Sequence, residues 1–183
     1  MGRPTPPSPV KLFVVSLHRD ASILEAAINQ FQVEWGGTDF ESEDFIFDET
    51  DYYEPEMGNG LRRRFYSFAQ LISPDRIVEA KLHCNSIEDQ FLQEGQRQVN
   101  LDAGYLDTYK VILASAKFGG QKIYLRDGIY ADMTLTMYKG KWESFVWGFP
   151  DFKSGKYDEA LKKIRDLYKA QKKSNAGVSP AQN

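Results

Sequence analysis

Cysteine is almost missing from this sequence. Cys84 is the only one in 183 residues, so neither an intrachain disulfide framework nor a cysteine-ligated zinc site can be built. Long apolar runs are missing too. No stretch approaches the ~20 residues that a membrane-spanning helix needs. The opening residues MGRPTPPSPV hold no apolar core, so no secretory leader is expected in them. Charge of one sign is also lacking: 23 basic residues face 26 acidic ones, for a formal net charge of -3. That balance argues against nucleic-acid binding by bulk positive charge. The expected compartment is the cytoplasm, with neither membrane nor nucleic acid among the partners.

Familiar catalytic strings are absent as well. There is no GxxxxGK[ST] loop to cradle phosphates and no GxSxG nucleophile turn. The aromatic run of an RNA-recognition sheet is missing, so Phe65, Tyr66 and Phe68 are expected in the core. His18 and His83 lie at no metal-ligand spacing.

What is present is a substantial apolar fraction, 42%, with 14% aromatics. A chain of this length fits one domain and buries roughly 70% of its unfolded surface. The expected organisation is a proline-rich arm over 1–9, a single domain over 10–172 and a disordered tail over 173–183.

VKLFVVSLH (10–18) is a valine-rich apolar run, hence a buried strand. ASILEAAINQFQVEW (21–35) has helical spacing, with Asp20 as cap and Gly36-Gly37 as stop. Segments 39–48 and 61–72 suggest strands around a loop containing ETDYYEPEMGNG. Three cations in LRRRF suggest an edge strand protected by charge. Ser73-Pro74 starts a helix running to about Gln93. Strands follow near 98–101, 109–117, 121–126, 129–138 and 141–147, and an amphipathic helix closes the chain over 155–173. The class is α+β, a mixed or antiparallel sheet with two packed helices. The order β-α-β-β-α-β, then extra strands and a closing helix, is that of a ferredoxin-like core.

The second helix carries the first functional signal. At 100° per residue, Ile77, Ala80, Cys84, Ile87 and Phe91 share one apolar arc, while Val78 and Leu82 make another. Lys81, Asn85 and Glu88 lie between them and are expected at least half-buried. Buried charge must be paired or used. In NLDAGYLDTYKVILASAK (100–117), Asn100, Asp102, Tyr105, Lys110 and Lys117 surround a strand. Asp102 and Gly104 suit a turn, the glycine through a positive φ. In GIYADMTLTMYKG, Ile129, Ala131, Met133, Leu135 and Met137 alternate with Tyr130, Asp132, Thr134, Thr136 and Tyr138, so Asp132 and Tyr130 share the other face.

The strings TDYYEPEMG, KLHCNSIED, NLDAGYLDTYKVILASAK, IYLRDGIYAD and PDF together resemble the prokaryotic family called domain of unknown function 4416, over about Pro9 to Phe152. Positions that fit the family pattern include Tyr52, Tyr53, Glu56, Lys81, Asn85, Glu88, Asn100, Asp102, Lys110, Lys117 and Tyr130, with Arg63 the best match among the three arginines. The family has proline where this chain has Ala103 and glutamate where it has Asp132. Some relatives carry the label GTP-binding protein, for which this chain offers no motif.

Two functions follow. Lys81, Lys110, Lys117 and Arg63 suit phosphate or carboxylate, with Asn85, Glu88, Asn100, Asp102, Tyr105 and Tyr130 completing a pocket. Glu56, Asp102 and Asp132 suit Mg²⁺. That makes a binder of a small anionic, phosphorylated or nucleotide ligand. The other reading is a non-catalytic interaction module whose polar cluster is an ion-pair network. It expects buried pairs with no cavity between them, and an exposed apolar patch elsewhere. A homo-oligomer is compatible with both.

Overall fold

The computed structural model describes residues 2–176. Its architecture is α+β. Strand β1 (Val10–His18) is buried at all nine positions. Its neighbours explain why: β4 (Arg62–Ile72) and β5 (Val99–Leu106) both pair with it antiparallel, and helices cover both faces. A strand closed on both faces has no need to alternate. Val10, Leu12 and Val14 face helices α1 (Ala21–Trp35) and α3 (Ile77–Gln90). Phe13 and Val15 face helix α5 (Asp158–Ala176).

Four strands flank this centre. They are β2 (Thr38–Glu41), β6 (Lys110–Ser115), β7 (Ile123–Arg126) and β8 (Ile129–Tyr138), and the sheet order is β2-β4-β1-β5-β6-β8-β7. Short β3 (Phe45–Ile46) pairs with β4, and β9 (Lys141–Ser144) with β8. The one-turn helices α2 (Glu54–Met57) and α4 (Pro150–Lys153) complete the fold. Asp127-Gly128 (φ 55°, 77°) and Lys139-Gly140 (φ 46°, 83°) turn the two hairpins around β8. Two consecutive positive φ values match the right-handed twist of the strands they join.

α1 starts where its cap predicts, with the Asp20 carboxylate accepting from the Ser22 N–H at 2.8 Å. The segment 39–48 breaks into β2 and β3. Between them, the Ser42 hydroxyl accepts from the Phe65 N–H, and Asp44 takes the Arg64 guanidinium. β4 lies between other strands, so its arginines do not guard an edge. α3 stops at Gln90, earlier than its pattern implied. α5 continues to Ala176, into the expected tail; 177–183 lie outside the described residues.

Two other expectations fail for instructive reasons. NLDAGY is not a turn but part of β5, and Gly104 has no positive φ. A Cβ there would lie 2.5 Å from Phe13 Cζ and 2.7 Å from the Ile112 carbonyl oxygen. The glycine thus permits close approach. The second failure is β8, where Val111 pairs with Leu135 but Ile112 pairs with Met133. The skipped Thr134 makes a bulge, and a bulge reverses which side chains face which way. Met133 turns outward, 38% exposed, while Asp132 and Thr134 are buried.

Candidate functional site

The stripe between the two apolar arcs of α3 lands on a gap in the sheet. β5 pairs with β6 only through Gly104–Leu106, so its first half lacks a strand on that side. Two side chains of α3 stand in for the missing strand. Glu88 Oε1 accepts from the Leu101 N–H at 2.7 Å, and Lys81 Nζ donates to the Leu101 carbonyl at 2.7 Å. Lys81 also donates to Asp102 at 3.0 Å and lies 3.7 Å from Glu88. Both Lys81 and Glu88 are buried; Asn85, between them, is half-buried and makes no side-chain hydrogen bond among the described residues. Leu82, expected inside, is exposed.

Register places the other groups. Leu17 opposes both Arg63 and Asn100, and Val15 opposes Asp102. Residues opposite one another share a face, so Arg63, Asn100 and Asp102 lie on the face away from α1 and α3. Lys81 reaches them from the helix side through the gap. Asn100 donates to Asp102 at 3.0 Å and accepts from Arg97 at 2.6 Å. Arg97 also contacts Glu88 at 3.3 Å and Glu56 at 3.1 Å. Asp132 joins the same face, since Leu113 pairs with both Gly104 and Asp132. It lies 3.7 Å from Lys122. Tyr130 is two residues before it, on that face too.

Arg63 has unusual surroundings. Its side chain is only 7% exposed. Its guanidinium lies 4.8 Å from the Phe47 ring centroid, 5.6 Å from Phe152 and 5.8 Å from Tyr157. Nη1 sits 2.9 Å from Asp151, while buried Nε has no hydrogen-bond partner among the described residues. Tyr53 is next to this group. Burial pushes its hydroxyl up to about 12, with the Asp102 charge adding to the shift and Arg63 and Lys81 opposing it. Tyr53 is therefore a neutral O–H donor at any ordinary pH, and its hydroxyl makes no hydrogen bond among the described residues.

The cluster separates its acids. Burial raises Glu88 above the usual carboxylate range despite the pull of Lys81 and the Leu101 N–H. Burial pushes Asp102 the same way, but Lys81, Arg63 and Asn100 overcome it and hold Asp102 low. Burial alone would lower Lys81, yet Asp102 and Glu88 keep it above its ordinary value. Burial also raises Asp132, against Lys122.

The sequence-predicted set divides. Lys81, Glu88, Asn100, Asp102 and Arg63 converge, and Glu56 joins through Arg97. Lys117 connects by its 2.7 Å bond to the hydroxyl of Tyr52, whose ring is 5.0 Å from that of Tyr53. Lys110 and Tyr105 lie elsewhere. Lys110 bonds Asp107 at the far end of β5, and Tyr105 packs on the α1–α3 core. The carboxylates of Glu56, Asp102 and Asp132 each have a cationic partner. Among the described residues no group of three His, Cys, Asp or Glu side chains could hold a metal ion. Arg97, Lys122 and Asp151 were missed, and Tyr53 was named as a position fitting the family pattern but not as part of the pocket. Tyr53 and Asp151 stood in the quoted strings TDYYEPEMG and PDF; Arg97 and Lys122 gave no signal. An open cleft of about 650 Å³ runs past Asp48, Glu49, Asp51, Glu54 and Arg62, and none of the predicted site residues lines it.

The family described as "Domain of unknown function (DUF4416)" matches residues 8–168, so this chain belongs to it. No curated protein and no solved structure matches the chain. No helix among the described residues is long and apolar enough to cross a membrane.

Proposed function

We propose that this chain binds a small anionic molecule, through a carboxylate or phosphate group, where Arg63, Lys81 and Tyr53 meet. The buried Arg63 guanidinium carries this reading. A buried donor without a partner is costly, and Arg63 Nε has none among the described residues. Arginine offers a planar fork that fits carboxylate and phosphate oxygens. Phosphorylated and nucleotide ligands fall within this class. The strand order β2-β4-β1-β5, with α1 and α3 on one face, supports a ferredoxin-like core beneath the site. The single, buried Cys84 suits a cytosolic protein.

The test is thermal unfolding at low ionic strength with inorganic phosphate, citrate, sugar phosphates and nucleotides. A ligand at about 100 times its Kd stabilises the fold by ~2.7 kcal/mol. We expect that stabilisation for at least one anion, and its loss in Arg63→Lys and Tyr53→Phe. Stabilisation undiminished in both variants contradicts the reading.

One observation favours a second reading, the interaction module. Lys81 and Glu88 are both occupied in closing the β5 edge at Leu101, which accounts for them without a ligand. On that reading no anion stabilises the fold, while Lys81 and Glu88 variants unfold easily.

A further inference from the structure

We infer that the short connection between β2 and β3 is an acid-sensitive latch, which opens when buried His18 takes up a proton. The inference is independent of the anion site. His18 ends β1 and is fully buried. Its Nδ1 lies 3.3 Å from the Ser16 hydroxyl. Its Nε2 is buried, has no hydrogen-bond partner among the described residues, and lies 3.4 Å from Asp44 Oδ1. Asp44 belongs to the connection. Its carboxylate already accepts from Arg64 Nε at 2.6 Å, and Arg62 lies 3.6 Å away. Register explains the crowding: β4 sets Arg62 opposite His18 and Arg64 opposite Ser16. One carboxylate thus faces two guanidinium groups and an imidazole. On the other side of β1, β5 sets uncharged Val99 opposite His18. Asp20, the cap of α1, also feels the His18 charge, but it is exposed and held by Ser22.

A neutral ring suits this place, and a proton on it adds a third cation around Asp44. Burial opposes that charge most. Asp44 favours it, Arg64 and Arg62 oppose it, and the imidazole is held below its ordinary value. The penalty falls when water reaches the ring. The segment that faces Nε2 carries Asp44, and its ties run to β4. The Ser42 N–H donates to the Phe65 carbonyl at 2.9 Å, and the Phe65 N–H donates to the Ser42 hydroxyl at 3.0 Å. Arg64 holds the segment through Asp44 and Glu41. A protonated ring competes with Arg64 for the same Asp44 oxygen. The added charge therefore acts on the tie that keeps the segment shut. Arg64 holds Asp44 low, so Asp44 stays ionised in weak acid. Opening frees a ring of ordinary basicity, and the open form gains as pH falls below about 6.5.

The test is amide hydrogen exchange of the full chain at pH 7.5 and at pH 5.5, expressed as protection relative to the intrinsic rate at each pH. The Ser42 and Phe65 amides report the connection, and Val14, inside β1, reports opening of the whole fold. Protection at Ser42 and Phe65 should fall by as much as about tenfold at the lower pH, while Val14 keeps its protection. The His18 ring signals of the native chain should titrate with the same midpoint. In His18→Gln both amides should keep equal protection at the two pH values. An equal fall at Val14 overturns the latch, because acid then loosens the whole fold. A fall that survives in His18→Gln assigns the effect to another group and overturns the role of His18. Two measurements on the native chain decide the matter even if that variant fails to fold. Protection that does not change with pH overturns the latch, and so does protection lost while the His18 ring does not titrate.

Discussion

Two lysines are buried at this sheet, Lys11 within β1 and Lys81 on α3 against the first half of β5, and their surroundings differ. Lys11 lies at the end closed by α5. It is fully buried, pairs with Asp39 and donates to Gln171 of α5 at 2.9 Å. Asp39 is held in turn by Ser67 at 2.6 Å. Burial pulls the Lys11 amine below its ordinary value, and Asp39 only partly offsets this. Lys81 lies at the open end with two acids and a backbone carbonyl, and is held above its ordinary value. The first lysine pins a helix to the sheet and uses its hydrogen bonds in doing so. The second also closes a strand edge, but beside it remain an unpartnered guanidinium nitrogen and an unpartnered phenol. Buried charge alone does not distinguish the two ends; the proposed anion site rests on the spare Arg63 donor, which the Lys11 end lacks among the described residues.

The largest effect that separates the two ends is on stability. Lys81→Met leaves Asp102 and the Leu101 carbonyl without their buried ammonium donor and Glu88 with Arg97 as its one cation among the described residues, at a cost of about 3–5 kcal/mol. Lys11→Met leaves Asp39, which reaches solvent and keeps Ser67, and should cost about 1 kcal/mol. Urea denaturation of both variants checks this, and equal losses would erase the contrast. Next is Gly104→Ala, which sets a methyl group against Phe13 and the Ile112 carbonyl where β5 and β6 meet. It should cost about 1–3 kcal/mol in the same experiment.

The pH dependence is a smaller effect. Asp102 is held low in the folded chain, so its contribution is present above the unfolded value of about 4 and is lost as pH falls through the folded value. Asp102→Asn should flatten the stability curve below about pH 4 relative to the native chain. A variant curve as steep as the native one would remove Asp102 from the account. The smallest effect concerns Cys84, on α3 one residue from His83 and three from Lys81. Burial pushes its thiol up and keeps it inert. Iodoacetamide should label it only as the fold opens, and faster in Lys81→Met than in Lys11→Met.

Much of this was legible in the sequence. The unbroken apolar run of β1 marked a strand covered on both faces. The α3 wheel placed Lys81 and Glu88 inside, because two apolar arcs leave a polar stripe nowhere else to go. Other features depend on partners far along the chain. The bulge at Thr134 is a matter of register against Val111 and Ile112, and no alternation within β8 reveals it. NLDAGY resembles turn chemistry because the reason for Gly104 is Phe13, on another strand. Once β5 is known to run from Val99 to Leu106, the distance between its ends is set by a rise of about 3.3 Å per residue. Tyr105 and Lys110 then cannot reach the Asn100 end. Arg63 was one of three arginines in a row, and pairing with Leu17 selects it.

The most direct test of the central claim watches the Arg63 side chain itself. In ¹H–¹⁵N spectra of arginine Nε groups, the Arg63 signal is the one lost in Arg63→Lys. Titrating the native chain with inorganic phosphate, and separately with acetate, at low salt should shift that signal in a saturable way, with the other arginines moving less. A signal that stays in place while phosphate shifts only the exposed arginines would contradict the account and leave the cluster a closed ion-pair network.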